Sequence, residues 1–461
     1  MVDSIRRTGI DTNGILTAHM SIPLNIGCSR SVESKKRVRL EFGIMILAAL
    51  MLLQFFPLPK IPSLGFTPIN CVFVLIILYG FARLRSVISV DPKIPVALGF
   101  TLSYVVLMVL LNAIQEETEG GFAQHIRNAA YIFSFVIVCN SVDRWKLVLK
   151  LFLVLAVASV LFGSLVYFVG SPFSAVRDWM HQSASPMAHI GKGSQLTGVY
   201  CEPHIFGYLL AGAPILAVGL YRSEGRLRWL GVFLVLLLGV LLNAERSTFL
   251  MNTLVLFAWF VGGRRNRWAA VGLLALVVLG LVLSPLILPS SRYNPNSSNR
   301  AASYQAGHLA ERLQEAKGSD ALARLRWQWN GIRAVLESPI LGATREGYAR
   351  IANAVPQNAL TFGAATVMPP HNHYVNIGMH AGVAGWLILV VVVWLFRKVH
   401  IQSRSAFRET GPIILEKTTR LALIAVLGNA LFHNAGLFSP ELATSTVAAL
   451  FLSLRNTVRV R

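Results

Sequence analysis

The run Leu147–Val169, L-V-L-K-L-F-L-V-L-A-V-A-S-V-L-F-G-S-L-V-Y-F-V, carries one charge in 23 residues. At about 1.5 Å per residue such a helix crosses a hydrocarbon core roughly 30 Å thick. It is apolar on every side, as a helix surrounded by lipid or by other apolar helices must be. The same pattern recurs at 40–56, 65–82, 94–113, 127–141, 204–221, 229–243, 247–262, 268–288, 374–396, 419–435 and 440–454. The expectation is therefore an all-α polytopic membrane protein of about twelve transmembrane helices. Its parts are a cytoplasmic tail (1–39), nine spans (40–288), one long periplasmic loop with amphipathic helices (289–373), three spans (374–454) and a short cytoplasmic tail (455–461). Composition agrees: 54% of residues are hydrophobic and only 14% charged, with mean hydropathy +0.58, against about 25% charge in a soluble domain. A soluble enzyme, a disordered chain and a disulfide scaffold are excluded.

The net charge of +21 suggests nucleic acid until its distribution is read. The N-terminal tail, every second loop after it (83–93, 143–150, 222–228, 264–267, 397–420) and the C-terminus hold 28 of the 42 Lys and Arg. The opposite loops hold 14, offset by 12 of the 21 acidic residues. This is the positive-inside pattern. It puts both termini in the cytoplasm, accounts for the charge by attraction to headgroups and orientation, and leaves no nucleic-acid partner. Residues 1–39 lack an apolar core followed by a cleavage pattern, so the first span reads as an uncleaved anchor behind a disordered tail. Cys28, Cys71, Cys139 and Cys201 are too scattered for a disulfide framework or a thiolate metal site.

No internal repeat is visible, and ionisable residues avoid the span centres. Glu202, Glu245, Arg246 and His371 gather at span ends on the non-cytoplasmic side, which disfavours a flippase or secondary transporter. The chain contains no G-x-x-x-x-G-K-[ST] loop, no H-E-x-x-H helix, no D-x-D pair and no G-x-S-x-G elbow, so ATP hydrolysis and nucleotide-sugar chemistry are unsupported. An outer-face transferase without these parts needs a substrate already activated, such as a lipid-linked sugar diphosphate. Its site needs cations and a base, with no metal and no cofactor.

Pro369-Pro370-His371-Asn372-His373-Tyr374 precedes an apolar run containing Gly378, Gly382 and Gly385. Two prolines can precede a helix but not continue it. Helical spacing from His371 then puts Val375 and the three glycines on one stripe, where small residues permit close packing, and turns His373 away. A headgroup-facing histidine over a packing ridge fits the same letters. The hairpin Asn243-Ala244-Glu245-Arg246-Ser247 leaves Arg246 at the outer boundary, either as an anion-binding group or as the partner of Glu245 in an interfacial pair. In the loop, Leu322, Leu325, Trp329, Ile332 and Leu336 recur at helical spacing as one apolar face suited to the membrane or to neighbouring spans. Arg326 and Arg333 border that face, and Arg324 lies round the other side. Gly198-Val199-Tyr200-Cys201-Glu202-Pro203-His204 reads either as an acceptor-orienting carboxylate or as a helix start. His125 with Arg127, His189 with Lys192 and His433 with Asn434 read as headgroup contacts. Ser290 to Asn299 has turn composition and suits a lid over the acceptor site.

His371-Asn372, nine residues, Gly382, two residues and Gly385 resemble the H-N-x9-G-x-x-G signature of the O-antigen ligase and O-antigen or exopolysaccharide polymerase superfamily of bacterial membrane glycosyltransferases. Arg324, Arg326, Trp327 and the Ser-Pro-Ile-Leu-Gly run ending at Gly342 are similar to that family's loop, with Thr344 where a second glycine is usual. The resemblance implies that His371 activates the acceptor hydroxyl, while Arg246 and one of Arg324 or Arg326 hold the diphosphate of an undecaprenyl-diphosphate-linked oligosaccharide. Glu202, Glu245, Asn372 and His373 are then candidates for acceptor binding or support. A neutral imidazole suits proton removal near pH 7, and guanidinium donates bidentately to a leaving diphosphate. The implied reaction is inverting. Its implied partners are a glycan or lipid A-core acceptor, membrane lipids, a chain-length regulator and a flippase. The Glu202-Pro203 pair resembles exopolysaccharide-type polymerases, which favours polymerase over ligase.

Overall fold

A computed structural model describes residues 45–53, 55, 68–88, several positions between 99 and 111, 142–169, 172–180, 196–200, 203–243, 245–261, 319–343, 345–353, 370–397 and 411–433. All belong to the unit Gly43–Arg461, apart from a second unit, Met1–Phe42. The N-terminal tail, the spans expected at 127–141, 268–288 and 440–454, and the stretch 290–299 lie outside the described residues.

Among the described residues every regular element is helical. In chain order they are α1 (Pro68–Ile88), α2 (Val142–Phe168), α3 (Phe173–Met180), α4 (Pro203–Glu224), α5 (Leu227–Asn243), α6 (Arg246–Val261), α7 (Ser319–Glu337), α8 (Arg345–Asn353), α9 (His373–Arg397) and α10 (Gly411–Asn429). A 3₁₀ turn, Ala430–Phe432, extends α10. Three described helices are long and apolar enough to cross a membrane: Trp145–Phe168, His204–Glu224 and His373–Val391. Leu227–Asn243 is a shorter apolar helix. These coincide with expected spans at 147–169, 204–221, 374–396 and 229–243, and α6 and α10 fall on two more.

α4 is the hub, packed against α2, α5, α6 and α10. Small residues let its neighbours in close: a Cβ on Gly219 would strike Thr418 of α10, and one on Gly207 would lie 2.8 Å from Thr248 Oγ1 of α6. Pro214 interrupts α4. Its missing N–H deprives the carbonyl of Leu210 of its helical partner, and Asn252 Nδ2 of α6 donates to that oxygen at 3.0 Å instead. Thr248 Oγ1 likewise donates to Gly207 O at 3.1 Å. The two bonds fix α6 against the hub.

Helix direction sorts charge to the two ends. Lys150 of α2 pairs with Glu224 at 2.6 Å, Trp229 Nε1 donates to the same carboxylate at 2.8 Å, and Arg228 stands 3.7 Å away. Arg222 lies over Trp259 and Arg228 over Trp229. This basic end joins α2, α4 and α5. The opposite end carries His204, Asn243, Arg246, His373 and His433, where α4, α6 and α9 start and α5 and α10 finish. A non-helical strap, Leu196–Tyr200, crosses there, held by Leu196 N donating to Leu242 O (3.1 Å), Asn243 Nδ2 donating to Leu196 O (2.8 Å) and Val199 N donating to Ser159 Oγ (3.2 Å).

The loop helices α7 and α8 form a second small core with α9: Ala334, Val335, Ala343, Tyr348, Ile351 and Met379. Burial pushes the Tyr348 phenol up to about 12, so it stays neutral. α7 turns Asn330, Gly331, Ala334 and Val335 inward. Leu325, Trp329 and Leu336 are 60%, 58% and 70% exposed. Of the two coverings open to the apolar face, the membrane or neighbouring spans, the outward exposure agrees with the first, and the smaller residues make the closer approach to α9: Gly331 meets Val375 and Pro370.

The glycine stripe also needs correction. α9 is not continuous: Gly382 has φ 58° and ψ −155°. In an unbroken helix Val383 N would donate to Met379 O. Here Val383 N donates to Pro339 O at 2.8 Å, and Met379 O accepts from Ala343 N at 2.7 Å. The turn after α7 thus replaces one rung of α9. A Cβ on Gly382 would collide with the carbonyls of Pro339 and Ile340, while Gly378 makes room for the Trp386 ring folded back across the break. Gly382→Ala should lower the stability of purified protein by about 1–3 kcal/mol, the usual cost of a strained backbone. Gly231→Ala, with open space at its Cβ, should stay within about 1 kcal/mol of the parent. Thermal unfolding monitored by size exclusion measures both, and equal midpoints would contradict the break.

Candidate functional site

His371 is the residue on which the candidate chemistry centres. It precedes α9 rather than lying on it, and its φ is 49°, positive as in no other non-glycine residue among those described. Such a backbone is held only where its surroundings over-determine it. The surroundings are visible. Asn372 caps α9 by accepting from Tyr374 N at 3.1 Å and Val375 N at 3.3 Å, and Pro370 is buried on Gly331 of α7. The His371 ring lies 5.2 Å from that of Trp327, tilted 35°. The imidazole is thus pinned between a capped helix and the loop helix while remaining half-buried.

This corrects the helical arithmetic from His371. The residue is not in register with Gly378, so its divergence from His373 follows from the turn and not from a rotation about one helix. His373, the first residue of α9, is 3% exposed, with its ring 6.0 Å from Tyr374. Tyr374 donates its hydroxyl to Leu427 O of α10 at 2.7 Å. That bond brings the start of α9 beside the end of α10 and the 3₁₀ turn.

The hairpin between α5 and α6 meets the same end. Arg246 is the first residue of α6 and half-buried. Its guanidinium adds to the positive end of the helix, which offers an anion both charge and N–H groups. Beside it, Glu245 Oε1 is 3.4 Å from His433 Nε2. Ser247 Oγ is 2.7 Å from the same nitrogen. The reading of His433 as a headgroup contact is thereby overturned: it is 6% exposed, with Tyr208 edge-on at 5.3 Å and His204 stacked at 6.4 Å. The spacing of one histidine and one hairpin, 186 residues apart, gave no sign of this. Only a charged hairpin between two apolar runs hinted that a buried partner was needed.

Of the loop arginines, Arg326 is exposed beside Trp327; Arg324 lies on α7 with its side chain outside the described residues, as does all of Glu202. The start of α9 thus carries His371, Asn372 and His373, the start of α6 carries Glu245 and Arg246, and the end of α10 touches both through Leu427 O and His433. Trp327 stands against His371, and Ser247 and His204 against His433. Among the described residues no group of three His, Cys, Asp or Glu stands close enough to hold a metal ion.

Residues 211–390 match the family model described as O-antigen ligase. The matched stretch runs from the middle of α4 past the break in α9, so this part of the chain is similar to the O-antigen ligase family. A search of the curated proteins gives no match.

The strained turn makes its own prediction. His371→Gly should fold at least as well as the parent, gaining up to about 1 kcal/mol, because glycine adopts positive φ without cost. Asn372→Ala should lose about 1 kcal/mol with the cap. Unfolding midpoints that fall equally in both would contradict the geometry at 371.

Proposed function

We propose that this O-antigen ligase-family domain serves a metal-independent, inverting glycosyltransferase. It acts at the periplasmic face of the inner membrane on undecaprenyl-diphosphate-linked glycan and polymerises surface-polysaccharide repeat units. The observation that carries the reading is the contact of His371 with Trp327. It sets an imidazole, half-buried and fixed by its turn, against the loop helix that holds Arg324 and Arg326, at the bundle end where Arg246 starts α6. His371 takes the proton of the acceptor hydroxyl as the oxygen attacks the anomeric carbon. The bond to the diphosphate breaks on the opposite face, and the charge that appears on the leaving phosphate is met by Arg246 and one of Arg324 or Arg326. Asn372 and His373 hold the base in place, and Glu245 supports the arginine. Glu202, at the start of α4, is a candidate for orienting the acceptor.

The apolar outer face of α7 supports a site at the lipid surface. Leu325, Trp329 and Leu336, bordered by Arg326 and Arg333, give a helix the composition of one lying in the interface. A lipid-linked donor reaches its diphosphate to that depth while its tail remains in the membrane. The twelve-span topology, both termini cytoplasmic, completes the reading.

The description of the matching family favours a second reading, a ligase that transfers the lipid-linked glycan to lipid A-core. Deletion separates them. A strain without a polymerase makes single repeat units, and one without a ligase accumulates lipid-linked polymer. Substrate trapped on the cytoplasmic face would identify a flippase and remove both.

In reconstituted enzyme, His371→Ala should accumulate normally yet lose at least about a hundredfold in transfer, the ordinary worth of a general base. His373→Ala should retain more activity than His371→Ala. Transfer near the parent rate in His371→Ala would refute the base. Arg246→Lys should also be strongly impaired, since an ammonium cannot reproduce a bidentate fork, and activity should survive excess EDTA. Loss in EDTA restored by magnesium or manganese would reveal a metal.

A further inference from the structure

His433 lies beyond the matched domain, after the 3₁₀ turn that ends α10. One nitrogen of its ring touches both neighbours of a single arginine: Nε2 is 2.7 Å from Ser247 Oγ and 3.4 Å from Glu245 Oε1, and Arg246 stands between them in sequence. The tautomer with its proton on Nε2 satisfies both oxygens. The ring cannot swing away, because Tyr208 and His204 of α4 flank it and the side chain is 8% exposed.

We propose that His433 is the positioning residue for Arg246. Resting on the reading of Arg246 as a diphosphate-binding group, the proposal is that the buried imidazole fixes the first turn of α6 and so sets the direction in which the guanidinium leaves it. The need is physical. An arginine carries about 2 kcal/mol of rotamer entropy, and at the first position of a helix it sits against the positive end of the dipole, which gives it nothing in stability. A bidentate contact requires the fork to be held within about 0.5 Å of its target. Thr248 and Asn252 fix α6 along the hub through Gly207 O and Leu210 O, but neither acts on the residues beside Arg246. His433 does, and it reaches them from a different part of the chain, so α10 and α6 agree on where the anion site lies.

The test uses the full chain in lipid nanodiscs, with undecaprenyl diphosphate as the binding probe and lipid-linked oligosaccharide as the kinetic donor. His433→Phe fills the slot without a hydrogen bond and should weaken binding of the probe about tenfold. It should raise the donor KM in parallel and change kcat little, the signature of lost binding common to ground and transition states. His433→Gln, which keeps a donor, should recover part of the loss. Ser247→Ala removes one side of the tie and should give a smaller loss in the same direction. In an Arg246→Ala background neither His433→Phe nor Ser247→Ala should weaken probe binding further, because residues acting through one group are not additive. Additive losses in that background would overturn the positioning role while leaving the arginine site intact. Parent-like binding in both Ser247→Ala and a normally accumulating His433→Phe would overturn it as well. Should His433→Phe fail to accumulate, His433→Gln and Ser247→Ala in the Arg246→Ala background give the same decision. Parent-like binding in Arg246→Ala itself would remove the diphosphate reading, a result none of the other outcomes mimics.

Discussion

A backbone carbonyl or amide released inside an apolar bundle has no water to turn to, and must find a partner within the protein. The described architecture follows from how this chain meets that demand. Pro214 frees Leu210 O, and Asn252 takes it. Gly382 frees Met379 O and Val383 N, and the turn after α7 takes both. At the end of α10 the helix tightens to 3₁₀, and Tyr374 takes Leu427 O. Each interruption of a helix becomes a joint to another element. The joints couple α4 to α6, the loop to α9, and α9 to α10, and the last is made by Tyr374, three residues after His371.

The end of the bundle holding the candidate site is thus built differently from the other. At the basic end Glu224 gathers Lys150, Arg228 and Trp229, a partly exposed cluster of the kind worth about 0–1 kcal/mol per pair. At the candidate site the polar groups are buried or half-buried, and their contacts are directed. Asn372 caps, Ser247 and Glu245 meet one nitrogen, and the strap Leu196–Tyr200 closes over Asn243. Strain is concentrated there as well, in the positive φ of His371. The proposed function, a base held against one substrate and cations against another, is served by such rigidity more than by charge pairing at the surface.

How much of this was legible follows from which physics is local. Long apolar runs specified the helices, since length and hydropathy are properties of a segment, and the starts of α4 and α9 were read within one or two residues from their prolines and polar neighbours. Helical arithmetic failed at His371 because the helix starts two residues later, and at Gly382 because the break is imposed by a turn 40 residues upstream that the periodicity of α9 does not contain. On α7 the apolar spacing identified a stripe and left open whether membrane or protein covers it; Gly331 and Ala334, small and inconspicuous, are the residues that fit α9. His433 was visible as a letter and not as a site, because its burial depends on α4, α6 and α10 meeting. The roles of Arg324 and Glu202 rest on sequence alone.

The substitution of one rung of α9 by the turn after α7 has a consequence for anyone recombining relatives of this chain. The segments 338–343 and 379–383 are two halves of one hydrogen-bonded unit, and each supplies what the other lacks. A loop exchanged without its cognate stretch of the following helix leaves Met379 O and Val383 N facing apolar surroundings, and the graft fails for want of two bonds rather than for want of surface fit.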